Sequence, residues 1–151
     1  MIDIEDFKKS IGKKSRLLGI DPGKIRIGLA ICDENKVVST PLKTIVKKNN
    51  SNFIDEIKAI IQENSVKGII VGNPINMDGS SGPSAQSAKD FTKFLSKNIS
   101  LPISMWDERL SSEGAFNISS SLDVNISKKV KKLDQNAASF ILQGAIDYIR
   151  R

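Results

Sequence analysis

Leu17-Leu18-Gly19-Ile20-Asp21-Pro22-Gly23-Lys24-Ile25-Arg26-Ile27-Gly28-Leu29-Ala30 is the stretch whose pattern decides the fold. An apolar run ends in one Asp, a Pro-Gly turn follows, and a second apolar run begins. This predicts a β-hairpin whose first strand delivers a carboxylate at its end. A carboxylate there, among glycines that allow close approach to the backbone, suits a metal or phosphate site. Asp-Pro-Gly is equally a plain turn sequence, with Pro at the second turn position and Gly at the third. The segment by itself leaves both readings open.

The pattern extends in both directions. Residues 1–15 are polar and Lys-rich, a short helix or loose arm ahead of a single domain over 16–151. Strands are expected over 16–21 and 25–33, with a short third at Val37-Val38-Ser39-Thr40 stopped by Pro41, together an antiparallel meander. Phe53, Ile54, Ile57, Ile60 and Ile61 recur at helical spacing over 52–64. Lys67-Gly68-Ile69-Ile70-Val71-Gly72 is a continuous apolar run, the mark of a strand buried on both faces. After a Gly- and Ser-rich loop, residues 85–97 form a helix with Ala88, Phe91, Phe94 and Leu95 on one face. A fifth strand over 102–106 ends at Asp107-Glu108-Arg109, and a helix follows over 110–122. Beyond a polar stretch at 123–132, the last helix starts at Asp134, striped by Ala137, Ala138, Ile141, Leu142, Ala145, Ile146 and Ile149. Three strands followed by αβαβαα imply an α/β fold, a mixed sheet with helices on its faces.

The chain has 151 residues, enough for one domain with a core, and a net charge of +6. The basic excess fits a polyanionic partner, although solubility alone also accounts for it. Cys32, the one cysteine, lies in an apolar segment and reads as core packing; a reducing, cytoplasmic setting is expected. The first six residues are acidic and give no secretory leader pattern, and no apolar run is long enough to span a bilayer.

Three acidic sites stand out: Asp21 ending strand one, Asp107 and Glu108 ending strand five, and Asp134 opening the last helix. Strand ends followed by loops are where ligands bind in open α/β sheets. Each site also has an ordinary structural role open to it. Asp107 could cap the following helix, Glu108 could pair with Arg109, and Asp134 suits an N-cap. Together, carboxylates converging on one sheet edge favour a hard-cation site. The chain contains no His and a single Cys. Ser-His and Cys-His nucleophiles and an ordinary zinc site are thereby excluded. Asp and Glu can hold Mg²⁺ or Mn²⁺, and such an ion lowers the pKa of a bound water without a His base. Phosphodiester hydrolysis by two ions fits both the carboxylates and the basic balance.

Four motifs in register now carry a resemblance. Gly19-Ile20-Asp21-Pro22-Gly23 with Arg26-Ile27-Gly28, Val71-Gly72-Asn73-Pro74-Ile75-Asn76-Met77-Asp78-Gly79, Asp107-Glu108-Arg109-Leu110-Ser111-Ser112, and Asp134 with Ala137-Ala138 resemble the YqgF/RuvX family. This is the Holliday-junction-resolvase-like group within the ribonuclease H fold, and the match covers 16 to about 149. The resemblance implies a five-stranded mixed sheet, three antiparallel strands then two parallel, flanked by helices. It implies a metal-dependent nuclease linked to maturation of the 5′ end of 16S ribosomal RNA precursor, while some members are assigned to Holliday-junction cleavage. The family's acidic positions fall on Asp21, Asp107 with Glu108, and Asp134, as catalytic residues and metal ligands. Two departures stand out: Lys24-Ile25 in place of Thr-Lys, and Asn73 in place of Leu in a Gly-Leu-Pro motif.

The substrate is then structured RNA or branched DNA, bound by a monomer or, for a junction, a symmetric homodimer. Lys24, Arg26 and Arg109 flank the acidic sites and could hold phosphate oxygens, or pair with neighbouring carboxylates. The loop from Asn76 to Ser84 is a lip over the nucleic acid or a plain surface loop. With aromatics at 5%, no base-stacking surface is visible, which favours recognition of shape and backbone. Two other classes stay open: a non-catalytic nucleic-acid-binding module, and a nucleotide-hydrolysing protein with an actin-like phosphate hairpin, although that fold needs two such domains. Lys13-Lys14 and Lys47-Lys48 are solvated faces or tracks for phosphates, and so is the cluster of Lys128, Lys129, Lys131 and Lys132. If they track phosphates, each contact releases condensed counterions. Reversing these four charges is then expected to weaken RNA or junction binding and flatten its salt dependence, read by titration at several salt concentrations; an unchanged slope returns the cluster to the solvated face.

Overall fold

The computed structural model describes residues 1–74, 82–107 and 126–151, the side chains of 126–135 excepted. Expectations for Glu108, Arg109, the helix over 110–122, the tip of the 76–84 loop and the side chains of Lys128 to Lys132 and Asp134 lie outside these residues.

Strands β1 (Arg16–Asp21), β2 (Arg26–Cys32) and β3 (Ser39–Val46) form the meander. Strands β4 (Val66–Asn73) and β5 (Ile103–Asp107) complete a five-stranded sheet in the order β3-β2-β1-β4-β5. The β1–β2 and β2–β3 pairs are antiparallel, whereas β1–β4 and β4–β5 are parallel. The carboxyl ends of β1, β4 and β5 therefore share one edge of the sheet.

Alternation along the strands divides the core into two layers. Leu18, Ile20, Ile69, Val71 and Ile103 face helices α2 (Asn50–Asn64) and α3 (Pro83–Asn98), where Phe53, Ile57 and Leu95 meet them. Leu17, Ile70 and Ala30 face α4 (Ile126–Ile149), whose Ala138, Ile141, Leu142, Ala145, Ile146 and Ile149 are buried. Of the two readings for residues 1–15, the helix forms: α1 (Ile4–Ser10) is capped by Asp3 and buries Phe7 in the second layer. The segment after it is held by Lys36, 5% exposed, whose Nζ donates to the carbonyls of Gly12 (3.1 Å) and Lys13 (2.6 Å).

Two elements depart from the sequence pattern. Strand β3 runs to Val46 and includes Pro41, which pairs with Ala30 beside a slip in register at Leu29/Ala30. β3 is an edge strand, and a proline at a bulge there forfeits no interior ladder bond. The last helix begins at Ile126 rather than at Asp134. The Lys-rich run contains neither Gly nor Pro, and lysine is a good helix former, so the helix continues through it. Asp134 is thus an interior helix residue and not the N-cap.

Gly19 controls how closely α4 approaches. A Cβ at this position would lie 2.7 Å from Leu142 Cβ and 3.1 Å from the Ala138 carbonyl oxygen. Gly19→Val is expected to cost about 1–3 kcal/mol by overpacking, read as a lowered urea midpoint, while Gly12→Ala, with nothing within 4 Å of the added carbon, leaves it nearly unchanged.

Candidate active site

Asp21 closes β1 opposite Gly28 of β2, and Asp107 closes β5 opposite Asn73 of β4. Their backbones are separated by two strand spacings across β4, roughly 10 Å. Both are half-buried and neither is without an interaction partner. They share the edge but not the face: Asp21 has the parity of Leu17 and Gly19, on the α4 side, whereas Asp107 has the parity of Ile103, on the α2/α3 side. Asn73 lies on the Asp107 side, with the parity of Val71. Its side-chain oxygen is buried with no hydrogen-bond partner among the described residues. The sequence marked Asn73 only as a departure from a motif; a polar residue ending an apolar strand was the signal available.

In the chain, Asp134 precedes Ala138 by four residues, one turn of α4, and the Ala138 carbonyl is the group that abuts Gly19. Among the described residues, no three Asp, Glu, His or Cys side chains form a group able to hold a metal ion. Glu108 and the Asp134 side chain are outside that set.

The other titratable groups have different uses. Burial pushes the Cys32 thiol above its ordinary pKa, so this cysteine packs the core and does not serve as a nucleophile. Asp33 lies at the opposite sheet edge. The N–H groups of Val38 and Val37 donate to its Oδ1, both at 2.8 Å, and hold its carboxyl below the usual range. Its oxygens are spent on the β2–β3 turn.

Lys24 in the turn after Asp21 and Arg26 at the start of β2 are both exposed, and Arg26 has an interaction partner of its own. A cleft of about 690 Å³ opens beside this turn, lined by Lys24, Lys47 and Asn50 on one side and by Ser87 and Phe91 of α3 on the other. Lys47 was legible as one of a lysine pair, a solvated face or a phosphate track, whereas Asn50 and Ser87 were not legible as site residues, because their elements meet only in the folded chain. No described helix is long and apolar enough to cross a membrane.

A mixed five-stranded sheet with this strand order, helices on both faces and acidic residues on the carboxyl edge defines a ribonuclease H-like α/β domain. It resembles the structure of T. thermophilus RuvC in complex with Holliday junction substrate, at a TM-score of 0.50 and 13% identity, over 89% of this chain and 94% of that one. The family model described as RuvX, Holliday junction resolvase, matches residues 15–148. A protein of Pelagibacter ubique, named "Putative pre-16S rRNA nuclease", is 60% identical over 149 residues, 99% of each chain. A protein of Sphingopyxis alaskensis with the same name is 40% identical over 146 residues, 97% of this chain and 95% of its own. The chain belongs to the RuvX family.

The turn after Asp21 tolerates no side chain at Gly23, where a Cβ would overlap the Arg26 carbonyl oxygen. Gly23→Ala is expected to lower stability by about 1–3 kcal/mol and to shift the amide NMR signals of Asp21 and Lys24 while leaving those around Leu142 in place.

Proposed function

We propose that this chain is a divalent-metal-dependent nuclease that hydrolyses phosphodiester bonds in the 5′-end processing of pre-16S ribosomal RNA. Asp21, Asp107, Glu108 and Asp134 are the acidic residues assigned to it, and Lys24, Arg26 and Arg109 the phosphate contacts. Full-length similarity to proteins carrying that name supports the reading. The observation that carries it in this chain is the sheet edge. Asp21 and Asp107 flank Asn73, whose buried side-chain oxygen is without a partner among the described residues. An unpaired buried acceptor costs about 1–3 kcal/mol; a hard cation or its bound water accounts for it.

The donor set fits Mg²⁺ or Mn²⁺, since it consists of oxygens alone. Held by Asp21, Asp107, Glu108 and Asp134, such ions would supply a water of lowered pKa and a counter-charge for the leaving oxygen. The protein's own residues do the rest. Asp21 approaches from the α4 side and Asn73 from the other, so the site is reached by both layers. Lys24 and Arg26 hold nonbridging phosphate oxygens beside the carboxylates, which otherwise repel the substrate. Cleavage of four-way DNA junctions is the second reading, favoured by the description of the family model.

Carboxylates sharing a site repel one another when no metal is bound, which costs folding free energy. Asp21→Asn keeps the shape and removes one charge, so without metal the variant is expected to be as stable as wild type or slightly more so. Metal bound only to the folded state adds RT ln(1 + [L]/Kd), about 2.7 kcal/mol at a hundredfold excess over Kd. That increment is expected to shrink in the variant, and cleavage of precursor RNA to be lost. Melting both proteins with and without Mn²⁺, alongside cleavage assays on precursor RNA and a four-way junction, tests this. Wild-type cleavage with undiminished metal stabilisation in Asp21→Asn removes Asp21 from the site.

A further inference from the structure

We infer that the cleft beside the β1–β2 turn is a subsite for one unstacked nucleotide of the substrate strand. This rests on the nuclease reading above and extends it from the scissile bond to the neighbouring residue of the nucleic acid. The cleft holds about 690 Å³, within the range of roughly 300–1,000 Å³ typical of small-ligand sites. Its walls differ in chemistry. Phe91 and Phe94 of α3 line it and are half-buried. The Phe91 ring stands 5.6 Å from that of Phe53 at 52°, so the core supports it from behind. Lys47 Nζ lies 5.9 Å from the centre of the Phe94 ring and 6.0 Å from that of Phe53. The Lys47 backbone N–H donates to the Ile25 carbonyl at 2.7 Å, joining this wall to the hairpin that carries Lys24. Asp90, hydrogen-bonded to Gln86, also lines the cleft and repels phosphate toward the two lysines.

Aromatic rings beside paired cations make the combination that binds single-stranded nucleic acid, with stacking for the base and charge for the phosphate. A base inside a duplex shows no free face, so only an unstacked nucleotide can use these rings. The wall carrying Lys24 begins at Pro22, the residue after Asp21, which places the occupant near the candidate scissile phosphate.

The test uses the full chain without metal and two fluorescent strands, a short oligouridylate and an abasic phosphodiester strand of the same length. Wild type is expected to prefer the oligouridylate by roughly fivefold or more, the scale of one base stacked on an aromatic ring. Phe91→Leu keeps an apolar side chain behind the cleft and is expected to abolish most of that preference. Lys47→Gln, at the rim, is expected to weaken both strands and to lower the log–log salt slope by about 0.7, one phosphate contact; it decides the matter if Phe91→Leu fails to fold. No preference in wild type, a preference unchanged in Phe91→Leu, or an unchanged slope in Lys47→Gln overturns the subsite. Asp21→Asn separates the two proposals. If it loses cleavage while the base preference is absent, the subsite alone falls; if it still cleaves while the preference depends on Phe91, the catalytic assignment alone falls.

Discussion

Helix α4 can lie on the sheet because β1 carries no side chain at position 19. A single Cβ there would press into Leu142 and the Ala138 carbonyl, and close-packed interiors have no slack to absorb it. Seating α4 at this distance buries its stripe from Ala138 to Ile149 over Leu17, Ala30 and Ile70. The same contact joins two backbone segments, remote in the chain, that each carry a candidate acidic residue. Asp21 is two residues beyond Gly19 along β1, and Asp134 is one turn ahead of Ala138 along α4.

The sheet order sets the chemistry of the edge. Because β1, β4 and β5 run parallel, their carboxyl ends present Asp21, Asn73 and Asp107 in a row. The antiparallel β2 turns back at that edge and brings Lys24 and Arg26 beside them. Cations next to carboxylates are what a phosphodiester needs if acids are to act on it, since the anionic strand must first be held against its repulsion. Asn73 stands in the same row with its side-chain oxygen buried and without a partner among the described residues.

Each face of the sheet contributes differently. The α4 side supplies Asp21 with a rigid support, whereas the α2/α3 side opens into the cleft between Lys47 and Phe91. Phe91 and Phe94 do two jobs there: they pack against the core from one side and line the cleft on the other. A low aromatic content did not suggest a stacking surface, yet two phenylalanines placed one turn apart are sufficient to line one.

Most of the fold was determined by the sequence alone. The hairpin around Asp21, the buried run at β4 and the stripe ending at Ile149 are local periodicities, and local periodicity decides which residues face a core. The same reading misjudged Pro41 and the start of α4. Whether a proline sits on an edge strand, and whether a lysine run is helix or loop, depends on neighbours the local pattern does not contain. The acidic positions were legible as residue types at strand ends. Only the tertiary structure decided that Asp21 and Asp107 share an edge but face opposite layers, that Asn73 stands between them, and that Lys47 and Phe91 enclose a cleft beside them. Those relations are set by strand order and by the distance of helix approach, both of which arise from contacts between segments remote in the chain.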